Sequence, residues 1–350
     1  MRLSGYGLFA LATGFVLSAC SGSGSPGTAN LPSAHGSAGS QSVSRHGAPS
    51  SRGNLAAAFA GGAILRHHQA IPDRTGHGSV YVSDYGANVL YGYAATGGSP
   101  TYIVSGGISG PQGLAATKTN VYVANTNDSQ ILVFTPPSTS PTSTISVSGE
   151  YPAGVAVGKR GAQIWVSNIC SVPSCTAGNL EEYSSSGTLL QTVTCSDLYR
   201  YYFVGVDKKG DVAVDGEDES GIPHVDLVRA GSSSCTPLTS IGLQFPGGVQ
   251  FTTSGDLAVD DQLALTITTW TAPNFTSSSS TTTLGGGISD PVTFAFVKSD
   301  VPKGDKYLWT ANAGSGDADE FAYPAGGSPI LDVTGIIEPI GVAVQKPATT

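Results

Sequence analysis

The sequence predicts an all-β fold, a six-bladed β-propeller whose C-terminal strand completes the first blade. The first observation behind this prediction is a start that recurs along the chain, Pro-x-Gly-Val or a variant of it. The six copies begin at Pro111, Pro152, Phe203, Pro246, Pro291 and Pro339. Successive copies are 41, 51, 43, 45 and 48 residues apart, a period typical of propeller blades rather than of helical or leucine-rich solenoids.

The second observation is the pattern of short runs that follows each start. An alternating run rich in β-branched and aromatic residues comes next, as at 121–125 and 164–168. A third and a fourth run follow, as at 131–134 and 145–147. Such runs, bounded by Gly, Asn, Asp and Ser, are strands of an antiparallel sheet. Four strands in each unit make one propeller blade.

The third observation concerns the two ends of the repeat region. The first unit begins at Val80 without a Pro-x-Gly-Val strand, whereas the last start, at Pro339, has no unit after it. If residues 341–344 form the innermost strand of the first blade, six blades are complete and no sheet edge stays open. The alternative is a C-terminal strand that docks elsewhere. The propeller is therefore predicted over 78–346, with a tail at 347–350.

Residues 111–134 resemble one NHL repeat. They read Pro-Gln-Gly-Leu-Ala, then Asn-Val-Tyr-Val-Ala-Asn, then Gln-Ile-Leu-Val-Phe, and the resemblance extends over 78–345. A basic residue often precedes the third strand in that family; here the position holds Asn88, Ser129 or Asn179. NHL-like propellers serve as protein-binding, RNA-binding and enzymatic scaffolds, so the resemblance implies an architecture and little about function.

Residues 1–19 read as a secretory signal peptide, with Met-Arg, an apolar stretch and small residues before a cleavage site. The sequence Leu-Ser-Ala-Cys that ends at Cys20 resembles the lipobox of bacterial lipoproteins, which implies that Cys20 becomes the lipidated first residue of the mature chain. Ser21 after it favours the outer membrane. The alternative is an ordinary signal peptide with a chance Cys, and hence a secreted or periplasmic protein.

The segment 20–77, which begins with Cys20, is rich in Gly, Ser, Ala and Pro. This composition cannot bury enough apolar surface to offset chain entropy, so the segment is predicted to be a flexible tether. We therefore expect a protein of the cell envelope, attached to the membrane through its lipid.

Four cysteines remain beyond Cys20, an even number that suits an oxidising compartment. Three pairings are possible. The five-residue spacing favours Cys170 with Cys175, which leaves Cys195 with Cys235 on adjacent blades. Free thiols are the alternative. The absence of a Cys-x-x-Cys element argues against a zinc site.

The charge of the propeller makes nucleic acid an unfavourable partner. Residues 78–350 hold 11 Lys and Arg against 24 Asp and Glu, a formal charge of −13, whereas residues 21–77 carry +3. An acidic propeller without a basic stripe repels phosphate backbones. The expected partner is an unknown protein or a carbohydrate.

Polar residues recur at the ends of the predicted second strands and form a candidate metal ring. They are Asp84, Asn125, Asn168, Asp215, Asp261 and Asn312. Such a ring of oxygen ligands could hold Ca²⁺, as in gluconolactonase-like propellers. Asp and Asn are also the residues that tight turns require, because their side chains bond the nearby backbone. Since every blade has one, the turn explanation is favoured, and no cofactor is certain.

A second candidate site is the loop before blade 4 together with the corresponding loops of other blades. Its aromatic, cationic and acidic side chains could recognise a sugar or a protein; packing between blades is the alternative. The candidate ligand-binding residues are Tyr151, Tyr199, Arg200, Tyr201, Tyr202, Phe245, Asp290 and Glu338.

Catalytic motifs are scarce. His224 is the one histidine of the propeller, on a predicted third strand, and no Gly-x-Ser-x-Gly element occurs. The sequence therefore favours a binding scaffold over an enzyme. A Ca²⁺-dependent lactonase-like enzyme, or another hydrolase or lyase, is the alternative, and a structural envelope protein is a further one.

Overall fold

The computed structural model of the protein describes residues 78–158, 161–300 and 303–345. The predicted signal peptide, Cys20, the tether and the tail lie outside the described residues. Within the described ranges the chain forms 24 β-strands and a single turn of 3-10 helix, Thr126–Asp128. Among these residues, no helix has the length and apolar character that crossing a lipid bilayer requires.

The strands form six antiparallel sheets of four strands each, which confirms the predicted propeller. Blade 1 contains β1 (Ser79–Asp84), β2 (Val89–Ala94) and β3 (Tyr102–Val104). Blade 2 contains β4 (Pro111–Ala116), β5 (Val121–Asn125), β6 (Gln130–Phe134) and β7 (Ser143–Ser146). Blade 3 contains β8 (Glu150–Val157), β9 (Gln163–Ser171), β10 (Asn179–Ser184) and β11 (Leu189–Val193).

The remaining strands continue the same order. Blade 4 contains β12 (Arg200–Val206), β13 (Val212–Glu217), β14 (Pro223–Val228) and β15 (Cys235–Pro237). Blade 5 contains β16 (Pro246–Phe251), β17 (Leu257–Asp261), β18 (Thr266–Trp270) and β19 (Ser278–Thr283). Blade 6 contains β20 (Pro291–Asp300), β21 (Lys303–Asn312), β22 (Asp317–Ala322) and β23 (Leu331–Thr334), and β24 (Pro339–Gln345) ends the described chain.

The ring closes through β24, as predicted. This strand pairs antiparallel with β1, with Val342 opposite Val82 and Val344 opposite Val80. Strands β24, β4, β8, β12, β16 and β20 contact one another in sequence around the ring, so they are the innermost strands of the six blades. Blade 1 therefore combines the two ends of the propeller region.

The glycine of the repeated start is explained by close approach between innermost strands. A Cβ atom on Gly341 would lie 2.2 Å from the carbonyl oxygen of Gln112 in the next blade. On Gly113 it would lie 2.5 Å from the carbonyl oxygen of Ala153. Only a residue without a side chain allows the backbones to come this close. The repeated glycine thus sets the spacing of the blades around the axis.

Blade 4 differs from the predicted alignment of its start. Val204 pairs with Val214 as Leu114 pairs with Val123 in blade 2, and Tyr201 pairs with Gly216 as Pro111 pairs with Asn125. Tyr201 therefore occupies the proline position, which the sequence pattern assigned wrongly to Phe203. Matching Gly205 to the repeated glycine misled the alignment, because strand pairing places Phe203 at that position.

The apolar core is divided among the contacts between blades. One cluster joins blades 2 and 3 and another joins blades 3 and 4, whereas the largest reaches blades 1, 3, 4, 5 and 6. Disulfides join Cys170 to Cys175 and Cys195 to Cys235, the pairing that the sequence favoured. Two disulfides are typical of a protein in an oxidising, extracytoplasmic compartment.

Candidate functional site

One face of the propeller gathers the loops that lead into the innermost strands and the hairpins between second and third strands. In blade 2 these are residues 105–110 and 126–129. They lie together because Pro111, which begins the innermost strand, pairs with Asn125, which ends the second strand. We call this side the upper face and the opposite side, with the other turns, the lower face.

Asp84 and Asp261 of the predicted metal ring each bind three backbone amides of the upper face. The carboxylate of Asp84 accepts hydrogen bonds from the amides of Ala87, Ile337 and Glu338, each 3.0 Å long. The carboxylate of Asp261 accepts them from the amides of Gln244, Phe245 and Ala264. Each side chain therefore holds the hairpin and the incoming loop of its own blade, the role expected of a turn residue.

The three asparagines of that ring also make local bonds. Asn125 Oδ1 accepts a hydrogen bond of 2.6 Å from the amide of Ser109. Asn168 Nδ2 donates to Asn179 and Glu181, and Asn312 Nδ2 donates to Asp317 and Asp319.

Within the described ranges, one set of three His, Cys, Asp or Glu side chains has its potential ligand atoms within 4.8 Å of one another. It consists of Cys195, Asp226 and Cys235, none of which belongs to the predicted ring. Calcium binding by the ring stays a prediction.

Asp215 lies one residue before the ring position, which Gly216 occupies in blade 4. Its counterpart in blade 5 is Asp260, which the sequence analysis missed. Both side chains are fully buried. Asp215 Oδ1 accepts a hydrogen bond of 2.9 Å from the amide of Phe203, whereas Asp215 Oδ2 and both carboxyl oxygens of Asp260 have no hydrogen-bond partner.

Burial raises the pKa of both carboxyls well above the usual range of aspartate. In Asp260 the neighbouring charges of Asp261 and Asp215 raise the pKa further, against a smaller lowering by the amide of Asp261. Gly247 makes the room, since a Cβ atom there would lie 2.7 Å from Asp260 Oδ2. The Gly-Gly pair of blade 5 was the one sequence feature that could have indicated this buried carboxyl. That Gly247 faces Asp260, however, follows only from the strand pairing.

Five of the predicted ligand-binding residues fall at equivalent places in the ring, directly before the proline position of an innermost strand. In blades 3 to 6 and then blade 1 they are Tyr151, Arg200, Phe245, Asp290 and Glu338, and Gly110 holds this place in blade 2. Of the other three, Tyr199 precedes Arg200, and Tyr201 and Tyr202 lie within β12. Tyr151 and Asp290 are buried at this place, so the rim that solvent reaches is formed by Arg200 and Phe245 in blades 4 and 5 and by Glu338 in blade 1.

The tyrosines of the loop before blade 4 differ in exposure. Tyr199 and Arg200 are partly exposed, whereas Tyr201 and Tyr202 are buried. The hydroxyl of Tyr202 donates a hydrogen bond of 2.7 Å to Glu217 Oε2, and its ring stacks on Phe245 with centroids 6.5 Å apart. Tyr199 and Arg200 are thus the members of this loop that solvent reaches.

A pair of carboxyl groups in blade 3, the partly buried Glu150 and the buried Glu181, was missed by the sequence analysis. Glu150 begins β8 and Glu181 lies on β10. Asn179 Nδ2 donates a 3.0 Å hydrogen bond to Glu150 Oε1, and Tyr183 donates one of 2.6 Å to Glu181 Oε2. Burial, and then the charge of Glu181, raises the pKa of Glu150 to about 7, although the bond from Asn179 lowers it in part. This carboxyl therefore titrates near neutral pH.

Exposed apolar side chains lie on the upper face. Ile222, Leu263 and Ile337 are 55%, 49% and 69% exposed, and they come from the hairpins of blades 4 and 5 and the incoming loop of blade 1. The other large exposed apolar residues in the described ranges, Leu189, Leu190 and Ile103, lie on the outermost strands of their blades.

Charge divides between the two faces. Among Lys and Arg side chains that the structure describes, Arg200 is on the upper face, and the others lie in or beside turns of the lower face. Those others are Lys118, Lys208, Lys209, Arg229 and Lys306. The hairpin at 217–221 adds Glu217, Asp218 and Glu219 to the upper face. The upper face is therefore acidic with exposed apolar side chains.

No protein-family model and no curated protein match the chain. Solved propeller structures do resemble it. A protein of unknown function from Bacteroides caccae is 14% identical, covers 77% of this chain and 98% of its own, and has a TM-score of 0.59. A chain in a nidogen/laminin complex is 14% identical, covers 76% of this chain and 97% of its own, and has a TM-score of 0.61. Hydrazine synthase from Kuenenia stuttgartiensis is 15% identical over 73% of this chain and 78% of its own, with a TM-score of 0.53. At these identities the likeness concerns the fold alone.

Proposed function

We propose that the protein is a lipid-anchored, extracytoplasmic NHL-like propeller that binds a basic protein segment on its upper face. The observation that carries the proposal is the exposure of Ile222, Leu263 and Ile337 on the acidic side of the ring. Large exposed apolar patches rimmed by polar residues mark interaction sites, and we propose that these three side chains contribute to one such patch. Acidic surroundings favour a partner with Lys and Arg side chains, through complementary potential.

The rim residues add specific anchors. Phe245 is half-buried over Tyr202, and Arg200 stands at the equivalent place in the neighbouring blade. Aromatic and Arg side chains are the residues that most often dominate binding energy at protein interfaces. Glu338, which is partly exposed in blade 1, extends the acidic surface, whereas Asp290 at the equivalent place in blade 6 is buried.

A lipid anchor on Cys20 is compatible with a binding surface that faces away from the membrane. The chain enters β1 at Ser79, and this strand runs towards Asp84 on the upper face. The tether therefore joins the propeller on the lower side, opposite the proposed surface. A lipid on Cys20 would tie that side to the membrane and leave the upper face accessible to a partner.

The experiment compares two variants of the mature chain on an array of Lys- and Arg-rich peptides that contain aromatic residues. Ile222→Ser, Leu263→Ser and Ile337→Ser together should weaken binding about tenfold or more, since about 1.4 kcal/mol corresponds to a factor of ten. Leu189→Ser with Leu190→Ser, on the outer strand of blade 3, is the control and should leave binding within about twofold. Equal affinity in the two variants, or no binding of basic peptides, would refute the proposal.

A second candidate function is a Ca²⁺-dependent enzyme of the lactonase type. Asp215 and Asp260 favour it, because three of their four carboxyl oxygens lack hydrogen-bond partners and carboxylates are preferred calcium ligands. Elemental analysis of the purified protein, with melting before and after chelation, tests this candidate. Stoichiometric calcium that is lost from an Asp215→Asn, Asp260→Asn variant would favour the enzyme, and a calcium-free protein whose melting a chelator leaves unchanged would rule it out.

A further inference from the structure

Sulfur and carboxylate groups meet between blades 3 and 4. Cys195 follows β11, Cys235 begins β15, and their Cα atoms are 5.3 Å apart across the disulfide. Asp226 is on the neighbouring strand β14, which pairs with β15. The two sulfur atoms and a carboxyl oxygen of Asp226 all lie within 4.8 Å of one another. Three potential metal ligands are thus brought together from a loop and two strands.

Asp226 lacks a compensating partner in the oxidised protein. Its side chain is fully buried, and neither carboxyl oxygen accepts a hydrogen bond from a backbone or side-chain donor. A second acid, Asp197, is its neighbour, and burial followed by the interaction with Asp197 raises the pKa of Asp226 above the usual range of aspartate. The sulfur atoms of a disulfide carry no charge that could balance a buried carboxylate.

Other polar groups lie around the cluster of Cys195, Asp226 and Cys235. The hydroxyl of Tyr201 accepts a hydrogen bond of 2.7 Å from the amide of Cys195. His224 Nδ1 lies 3.8 Å from Asp197 Oδ2, and His224 Nε2 lies 3.6 Å from Asp218 Oδ2. Among the ion pairs of the described residues, none joins a Lys or Arg to Asp226 or Asp197. A divalent cation would therefore supply the positive charge that the acids lack.

We infer that reduction of the Cys195–Cys235 disulfide opens a zinc site formed by the two sulfur atoms and a carboxylate oxygen of Asp226. A dithiol donates two electrons and two protons, so that the protein disulfide becomes two thiols and the donor becomes a disulfide. Zn²⁺ then displaces the protons of both thiols, which are released to water, and binds the two thiolates and the carboxylate of Asp226. Thiolate and carboxylate are both zinc ligands, and the fourth position of the tetrahedron falls to water or Asp197.

The second disulfide offers a matched comparison within the same chain. Arg200 Nη1 lies 3.9 Å from Cys175 Sγ, and the Cys170–Cys175 pair has no acid that completes a set of three ligands. A guanidinium beside the sulfur repels a cation. The proposal therefore expects metal at Cys195 and Cys235 after reduction and none at Cys170 and Cys175.

The test measures zinc and cobalt binding by the mature chain in which Cys20→Ala removes the one thiol outside the disulfides. The protein is reduced with a phosphine under anaerobic conditions and dialysed against micromolar metal. One metal ion per chain should bind after reduction and none before, and Co²⁺ should show sulfur-to-metal charge-transfer absorption. Cys170→Ser with Cys175→Ser should retain this metal, and Cys195→Ser with Cys235→Ser should lose it. Asp226→Asn should weaken binding at least tenfold.

Circular dichroism and the melting curve of each oxidised variant show that the propeller is intact before reduction. If the reduced chain unfolds without metal and refolds with zinc, the inference is supported. Reduced protein that binds no metal would overturn it, as would metal that survives the loss of Cys195 and Cys235. Unchanged affinity in Asp226→Asn would overturn it as well.

Discussion

The hydroxyl of Thr293 in blade 6 donates a hydrogen bond of 2.7 Å to the carbonyl oxygen of Ile340 on the closing strand. The hydroxyl oxygen of Thr293 in turn accepts a hydrogen bond of 3.1 Å from the amide of Val342. Thr293 stands where four other blades have the close-approach glycine. The last blade thus holds the first one by polar bonds at the point where the ring closes.

Replacing Thr293 by Val should therefore loosen the closure. Valine keeps the shape but leaves a buried carbonyl and a buried amide with one partner fewer, which costs about 1–3 kcal/mol. We expect a melting temperature several degrees lower, measured by calorimetry on the mature chain. Thr268→Val is the control, because the Thr268 hydroxyl meets only the exposed Thr281 hydroxyl at 3.3 Å. Equal losses in the two variants would contradict the closure role.

Gly113 and Gly106 provide a second pair of variants. A Cβ atom on Gly113 would lie 2.5 Å from the carbonyl oxygen of Ala153, whereas on Gly106 it would meet nothing within 4 Å. Gly113→Ala forces the innermost strands of blades 2 and 3 apart and should destabilise the protein by about 1–3 kcal/mol, the range for overpacking. Gly106→Ala should change stability by less than about 0.5 kcal/mol. Denaturant unfolding measures both, and similar midpoints would show that blade spacing does not depend on the glycine.

The blade period and the closing strand could be predicted from the sequence because each rests on local patterns. The Pro-x-Gly-Val strand at Pro339 has no blade after it, and in a closed ring the one blade without an innermost strand is the first. The register of blade 4 could not be predicted in the same way. Phe203 and Tyr201 both resemble core residues, and the pairing of Val204 with Val214 decides between them.

The candidate site was only partly predictable for a related reason. The rim positions follow from the repeat, so Tyr151, Phe245 and Asp290 were found. Asp260 and Glu150 become notable only through burial and through neighbours from other strands, Asp215 and Glu181. Such contacts depend on how blades face one another, which no local pattern reports.

Cys20→Ala tests the membrane attachment that the lipobox resemblance implies. A lipid on Cys20 would be the anchor, because two or more acyl chains give durable attachment and one substitution removes them all. We expect the variant to leave the membrane fraction or to accumulate uncleaved. Fractionation followed by immunoblotting measures this, with Ser21→Ala as the control that should stay attached. A variant that remains in the membrane fraction as a cleaved chain would exclude the lipid anchor.

Glu150 makes the stability of the propeller depend on pH near neutrality. Burial and the charge of Glu181 raise its pKa to about 7 in the folded protein, above the value of about 4.3 in an unfolded chain. Between these values the folded state binds more protons than the unfolded state, so stability falls as the pH rises. The contribution is complete below about pH 4 and is lost once the pH passes 7.

Glu150→Gln removes this titration and keeps an oxygen that can accept the hydrogen bond from Asn179. Relative to the unmodified protein, the variant should therefore gain melting temperature steadily from about pH 4.5 to 7 and show no further relative gain above. Glu219→Gln on the exposed hairpin of blade 4 is the control for a lost negative charge, and its profile should run parallel to that of the unmodified protein. Parallel profiles for Glu150→Gln as well would mean that this carboxyl ionises normally in the folded state. A steeper decline in Glu150→Gln would reverse the sign and assign the charged form a stabilising role.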